Sequence, residues 1–226
     1  MEIELAEYQN YNSIIGCDEV GRGPIAGPLN AAAVVIDKSQ VELLAKLREL
    51  NITDSKKLTD KKRKKILGLL QIDTGKIKLG EVYHNEVLGA KFSFCVTEHS
   101  PAEIDKLNIL QASLSAMKTA SENLLLDSAL SSQTIILIDG NKSFESSIDR
   151  KPIVKGDSKA VTIGLASIIA KVFRDEKMAG YDAKYPGYNL AQHAGYPTKE
   201  HRDAVKNIGP SPIHRKSFKG VKEYLS

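Results

Sequence analysis

Two cysteines in 226 residues, Cys17 and Cys95, are too few for a disulfide framework. Both sit in apolar, strand-like runs without metal-ligand spacing, so they read as reduced core residues, and a disulfide or zinc pair is not expected. Histidine is also scarce, with five in the chain, and His193, His201 and His214 have no metal-site spacing. No histidine base is expected, and His214 with Arg215 is expected to support the C-terminal segment. No apolar run reaches the roughly 20 residues that span a bilayer. The first residues, MEIELAEYQNYN, are acidic and polar where a secretory leader is basic and then apolar. A cytoplasmic protein without membrane association is therefore expected. Internal repeats and low-complexity segments are absent as well.

What is present suits a single core. The hydrophobic fraction of 42% fits a folded chain, and 32 basic against 28 acidic residues leave a formal charge of +4, which leans toward a polyanionic partner without requiring one. SIIGCDE (13–19) and LNAAAVVI (29–36) read as buried strands joined by a Gly/Pro turn, and residues 39–50 carry apolar positions at helical spacing. A helix is expected from the N-cap Thr59 through KKRKKILGLLQ. KIKLGEVY (76–83) and KFSFCVTE (91–98) read as strands. Ser100-Pro101-Ala102-Glu103 matches a capping box with proline at the first helical position, opening a long helix from Ile104 toward Leu130. VTIGLASIIAKVFRD reads as a buried helix, the chain becomes loop-rich after Met178, and a short helix runs from Thr198 to about Asn207. The expected class is α/β, one domain over 1–226, with about 180–226 a small helical C-terminal appendage.

Three strand-like runs end in acids: Asp18 and Glu19 after SIIGC, Asp139 after TIILI, and Asp157 after KPIVKG. Carboxylates are the hard oxygen donors that suit Mg²⁺ or Mn²⁺, and two such ions activate water and stabilise a leaving oxygen in phosphodiester cleavage. Gathered acids also raise one another's pKa unless a cation neutralises them. Taken singly, Asp139 reads first as a turn residue and Asp157 first as a helix cap.

The combined wording is more specific. DEVGRGPIAGP, DSKKL (54–58), IDKLNILQASLSAM (104–117), IDG (138–140), KGD (155–157), ASIIAKVFRD (166–175), GYPT (195–198) and HRKSF (214–218) follow in order, and over residues 13–220 the chain resembles the type 2 ribonucleases H, the ribonuclease HII family. The middle arginine of Gly-Arg-Gly separates it from the related type 3 enzymes. The resemblance implies a ribonuclease H-like fold, a mixed central sheet flanked by helices. It implies endonucleolytic cleavage of RNA paired with DNA and incision 5′ of single ribonucleotides in duplex DNA, leaving 5′-phosphate and 3′-hydroxyl ends. By motif match, Asp18, Glu19, Asp139 and Asp157 would bind two divalent ions, Mg²⁺ or Mn²⁺. Asp175 competes for the fourth place, but the family's fourth acid lies in the Lys-x-Asp motif and Asp175 is expected to pair with a neighbouring base. Gly164-Leu165 departs from the small, alanine-like residues usual there, which puts local packing in question.

For the substrate, the resemblance points to the Gly21-Arg22-Gly23 backbone at the ribose 2′-hydroxyl and to Tyr196 against the next sugar. Glycines permit such an approach because no side chain intervenes. Lys56 and Lys57 are expected on phosphates, with Ser167 and Lys171 as further backbone contacts. The run Lys61, Lys62, Arg63, Lys64 and Lys65 reads as a solvated helix face. The expected partners are RNA/DNA hybrids and ribonucleotide-bearing DNA, and the expected state is a monomer. Two alternatives stay open: a related fold acting on another structured nucleic acid, and a non-catalytic hybrid-binding module, which the presence of all four acids disfavours.

Overall fold

In the computed structural model, which describes residues 1–52, 58–127 and 133–225, the two apolar runs nearest the N-terminus form the middle of a sheet. β1 (Ser13–Val20) and β2 (Leu29–Asp37) pair antiparallel. β2 continues antiparallel to β4 (Ala90–His99), and β4 to the edge strand β3 (Val82–Val87). On the other side β5 (Thr134–Asp139) and β6 (Asp149–Ile153) run parallel to β1. The order β3-β4-β2-β1-β5-β6 makes a mixed sheet of six strands, as expected.

The apolar runs are continuous because both faces are covered. Ile14, Val34, Ile36 and Leu137 pack beneath α2 (Val41–Glu49), α3 (Asp60–Leu69) and α7 (Val161–Lys184). Ile15, Cys17, Val35 and Ile138 pack on α4 (Pro101–Leu107) and α5 (Ile109–Asp127). Both cysteines are buried and free. At the N-terminus, α1 (Glu2–Glu7) places the buried Glu4 carboxylate against the start of α7, where it accepts from the Thr162 amide at 3.0 Å. A third cluster joins Ile25 and Ala26 to Met178, Leu190, Val205 and Ile213, so the C-terminal segment with α8 (Leu190–His193) and α9 (Lys199–Ile208) folds back on the turn after β1. No helix among the described residues is long and apolar enough to cross a membrane.

Caps fall where the sequence puts them: Thr59 accepts from Lys62, Thr198 from His201, and Ser100 with Glu103 forms a reciprocal box worth about 1 kcal/mol. Four elements differ from expectation. Most of residues 76–83 lie outside strand: Asp73 caps a short 3-10 segment at Thr74–Lys76, Gly80 has φ of 81°, and β3 starts only at Val82. The long helix after Ser100 breaks at Asn108, whose φ of 66° ends α4 while its side chain accepts from Leu110 and Gln111 to start α5. The expected end of that helix, 128–130, lies outside the described residues. The third acid-terminated strand stops at Ile153, so Asp157 sits in the short helix α6 (Gly156–Lys159) rather than at a strand end. Finally, α7 continues past Met178 to Lys184 instead of giving way to loop. Gly164 is explained by packing, since a Cβ there would lie 2.7 Å from the Ile52 carbonyl oxygen and 2.9 Å from that of Asp157.

Candidate active site

The parallel register of β1 and β5 pairs Cys17 with Ile138, so Asp18 and Asp139 come next on neighbouring strands. Asp18, Glu19 and Asp139 line one cavity of about 450 Å³. Its rim is the Gly21–Gly23 turn, its far wall Ser167 and Lys171 of α7, and Tyr196 closes one side.

The acids are held in a low-dielectric, mutually repulsive setting. Asp18 is only 5% exposed. Burial pushes its carboxyl well above the usual range, and the Glu19 and Asp139 charges push it further, against hydrogen bonds from Ser167 and the Glu19 amide. Burial also raises Glu19, opposed by Arg22, whose Nη1 lies 3.3 Å from Glu19 Oε1, and aided by Asp139. Asp139 Oδ1 accepts from the Gly156 amide at 2.7 Å and the Asp157 amide at 3.3 Å. That contact docks the Lys-Gly-Asp turn, in which Lys155 adopts left-handed φ and ψ of 57° and 45°. It brings Asp157, buried at 4% exposure, beside Asp139, although Asp157 does not itself line the cavity.

This donor set fits hard divalent cations: carboxylate oxygens around one polar cavity, where a cation would relieve the burial and repulsion that raise Asp18 and Glu19. Among the described residues no three acidic, histidine or cysteine side chains already converge as a metal-binding group, so the acids wall an open cavity rather than a closed cage.

The other expected site residues divide. Ser167, Lys171, Tyr196 and the glycine turn all face the cavity. Tyr196 packs over Gly23, where a Cβ would lie 3.2 Å from its ring. Lys171 Nζ is 2.7 Å from Asp175 Oδ1, so Asp175 is engaged by a base, as expected. Lys56 and Lys57 lie outside the described residues. Arg63 is a correction: it is not merely part of a solvated face, because it is half-buried, lines the cavity and donates from Nη1 to the Leu58 carbonyl at 2.5 Å. The signal was available, since 63, 66, 67 and 70 share one helical face and Ile66, Leu67 and Leu70 are buried.

Comparison with known proteins gives the family and the fold. The family profile of Ribonuclease HII matches residues 15–221. The Ribonuclease HII of Vibrio vulnificus strain YJ016 is 43% identical over 225 residues, covering 99% of this chain and 95% of that protein. Among solved structures, the ribonuclease H2 of Pyrococcus horikoshii OT3 superposes with a TM-score of 0.65 at 24% identity, covering 94% of this chain and 96% of that one. The Bst ribonuclease HIII in complex with Mn²⁺ gives a TM-score of 0.62 at 20% identity, over 98% of this chain and 72% of that one. These two likenesses carry the fold, and the profile and the Vibrio relative carry the activity. A profile match across nearly the whole chain and close identity over its full length place it in the ribonuclease HII family, the divalent-metal-dependent endonucleases that hydrolyse RNA paired with DNA.

Proposed function

We propose that the cavity between β1, β5 and the glycine turn is the catalytic centre of a single-domain, monomeric enzyme. On this reading it cuts 5′ of single ribonucleotides embedded in duplex DNA as well as within RNA/DNA hybrids, leaving 5′-phosphate and 3′-hydroxyl ends. The observation that carries the reading is that Asp18, Glu19 and Asp139 share one cavity with Gly21–Gly23 and Tyr196, so the acids and the sugar-facing groups address the same nucleotide.

Asp18, Glu19, Asp139 and Asp157 would hold two divalent cations, Mg²⁺ or Mn²⁺, and the Mn²⁺ complex of the type 3 neighbour supports that class of ion. When bound, such a pair lowers the pKa of water and neutralises charge on the departing oxygen. The chain's own groups prepare that chemistry. The Gly156 and Asp157 amides orient Asp139, Ser167 steadies Asp18, and Arg22 favours ionised Glu19. Lys171 and Arg63 offer positive charge to the strand's phosphates, with Lys56 and Lys57 proposed alongside them. The glycine turn lets backbone groups reach the 2′-hydroxyl, and Tyr196 packs on the following sugar, where a deoxyribose fits better. Residues 180–226 carry Tyr196 and would form the substrate-contacting segment.

The test is incubation with a duplex containing one ribonucleotide, with Mg²⁺, with Mn²⁺ and with neither, followed by mapping of the cut. Metal-dependent incision on the 5′ side is expected. Cleavage confined to continuous hybrids would remove the single-ribonucleotide activity from the reading.

A further inference from the structure

Two arginines lie fully buried beneath the turn between β1 and β2: Arg174 from α7 and Arg215 from the C-terminal tail. Their donors go to backbone carbonyls. Arg215 donates to Gly21 at 2.6 Å, Pro28 at 3.2 Å, Gly27 at 3.0 Å and Arg22 at 3.3 Å. Arg174 donates to Pro28 at 3.0 Å, Ala26 at 3.3 Å and Ala194 at 2.9 Å, tying the turn to the loop that precedes Tyr196. Burying a guanidinium without a carboxylate partner is costly, and burial draws the Arg215 pKa down to about 9. So unfavourable a placement calls for a compensating role.

Peptide geometry supplies one. In a trans peptide the carbonyl of one residue and the amide of the next point in opposite directions, and none of these bonds is cis. Because Arg215 takes the Gly21 and Arg22 carbonyls, the Arg22 and Gly23 amides point away from it, and both residues line the cavity. Among the described residues neither amide donates to a protein group. Two successive free amides make a concavity for an oxygen acceptor. Gly21 is shaped to the same clamp: its φ is +100°, and a Cβ there would come within 2.5 Å of Arg174 Nε.

We propose that Arg215, backed by Arg174, is a positioning residue for substrate recognition, fixing the Gly21–Gly23 peptides so that the Arg22 and Gly23 amides form a two-donor site for an oxygen of the bound strand. The oxygen is a ribose 2′-hydroxyl or a phosphate oxygen. The proposal rests on the cavity being the nucleic-acid site.

Arg215→Lys keeps the charge but offers one nitrogen where a fork serves four carbonyls. The first measurement omits divalent metal and follows the Arg22 and Gly23 amide resonances of ¹⁵N-labelled protein. Duplexes with one ribonucleotide, or with its deoxy counterpart, are titrated in. Wild-type amides should shift, more with the ribonucleotide if the 2′-hydroxyl is the acceptor and equally if it is a phosphate. In Arg215→Lys those shifts should be lost. The second measurement adds metal: cleavage in Arg215→Lys should fall about a hundredfold, as for loss of one preorganised donor, while affinity for the all-DNA duplex stays within about twofold if the acceptor is the 2′-hydroxyl and falls in step with that for the ribonucleotide duplex if it is a phosphate. Arg174→Lys, which leaves the Arg215 bonds in place, should lose less on both readouts, and it carries the test if Arg215→Lys does not fold. Wild-type amides that never shift, variant shifts and rates equal to wild type, or a larger loss from Arg174→Lys than from a folded Arg215→Lys would each overturn the proposal. Failure of the functional reading looks different: wild type that binds with both amides shifting, yet cuts neither the single-ribonucleotide duplex nor an RNA/DNA hybrid when metal is present.

Discussion

Acidification should loosen the Tyr196 loop through histidines rather than through the catalytic acids. His201 and His214 are buried and meet through their Nε2 atoms at 3.0 Å, with His193 stacked on His201 at a ring-centroid distance of 4.4 Å. Their partners admit one arrangement of protons. The Tyr196 carbonyl, 2.9 Å from His201 Nδ1, can only accept, so that nitrogen carries hydrogen. The Ser211 amide, 3.0 Å from His214 Nδ1, can only donate, so the His214 hydrogen is on Nε2 and is given to His201 Nε2. His193 completes the set by donating to the Tyr188 carbonyl and accepting from the Gly195 amide. Every ring nitrogen is used in the neutral form, and an added proton on His201 or His214 meets a donor.

Burial is the main cause that lowers both His201 and His214 from 6.5 to about 4, and neighbouring histidine charge adds to it. The unfolded chain therefore binds more protons between those values. The stabilisation is fully present above about pH 6.5 and is lost as pH falls toward about 4, at most about 3 kcal/mol for each histidine. The raised carboxyls of Asp18 and Glu19 work in the opposite sense, favouring the metal-free fold as pH falls through their folded values. A variant separates the two. His214→Gln retains a donor toward His201 but removes one titrating group, so urea unfolding of the metal-free protein from about pH 7.5 to about 4.5 should show a shallower loss, by about one proton per molecule at the steepest point. Superimposable pH slopes for wild type and His214→Gln would refute the histidine chain as their source.

Three further outcomes are expected. Asp18→Asn or Asp139→Asn should abolish cleavage at saturating metal while duplex binding persists, and Asp18→Asn should raise the metal-free melting temperature by removing a buried, repelled carboxylate; near-normal turnover in either would sink the assignment. Tyr196→Ala should depress incision at a single embedded ribonucleotide far more than cleavage within continuous RNA, with Tyr196→Phe retaining more because the ring over Gly23 remains; equal losses on both substrates would assign Tyr196 to folding alone. Arg63→Ala should reduce the slope of log affinity against log salt by about one, while the exposed Lys61→Ala leaves it unchanged, and indistinguishable slopes would return Arg63 to the solvated surface.

What could be read from the chain follows from how local each signal is. β1, β2 and β5 were legible because strands covered on both faces leave continuous apolar runs, and the caps at Thr59, Ser100 and Thr198 because three or four residues carry the whole pattern. Asn108 was missed because apolar spacing continues on both sides of it and reads as one helix, although Asn is suited both to end a helix at positive φ and to cap the next. Motif wording located Asp18, Glu19, Asp139 and Tyr196, but not the register that sets Asp18 next to Asp139. The arginine clamp and the histidine chain were legible only in part: His214 and Arg215 read as support for the C-terminal segment, but their partners did not. Arg215 reaches Gly21 across 194 positions and His214 reaches His201 across 13, and no local pattern names partners so far along the chain.

Charges of both signs are thus buried around one turn without neutralising each other. On the cavity side Asp18, Glu19 and Asp139 repel one another, relieved among the described residues by the ion pair of Arg22 with Glu19. Beneath the turn, among the described residues, the side-chain hydrogen bonds of Arg174 and Arg215 go to backbone carbonyls, and Arg215 also lies over the Phe218 ring. Had the arginines paired with the acids, both sets would be stabler and neither would be available: the carboxylates would lack open oxygens, and the carbonyls of Gly21 and Arg22 would be free to turn toward the cavity. The peptide planes between them act as the separator, dipoles aligned with carbonyls on the cations and amides pointing away from them. The free protein carries this electrostatic cost, and ligands of opposite sign to each surface should relieve it. Divalent metal at a hundredfold excess over its dissociation constant should therefore add about 3 kcal/mol to unfolding stability in the wild type. Asp18→Asn should forfeit most of that gain, whereas Arg215→Lys should retain it, because the clamp acts on the turn and not on the acids. Equal loss of metal stabilisation in both variants would mean that turn and acids form one inseparable unit.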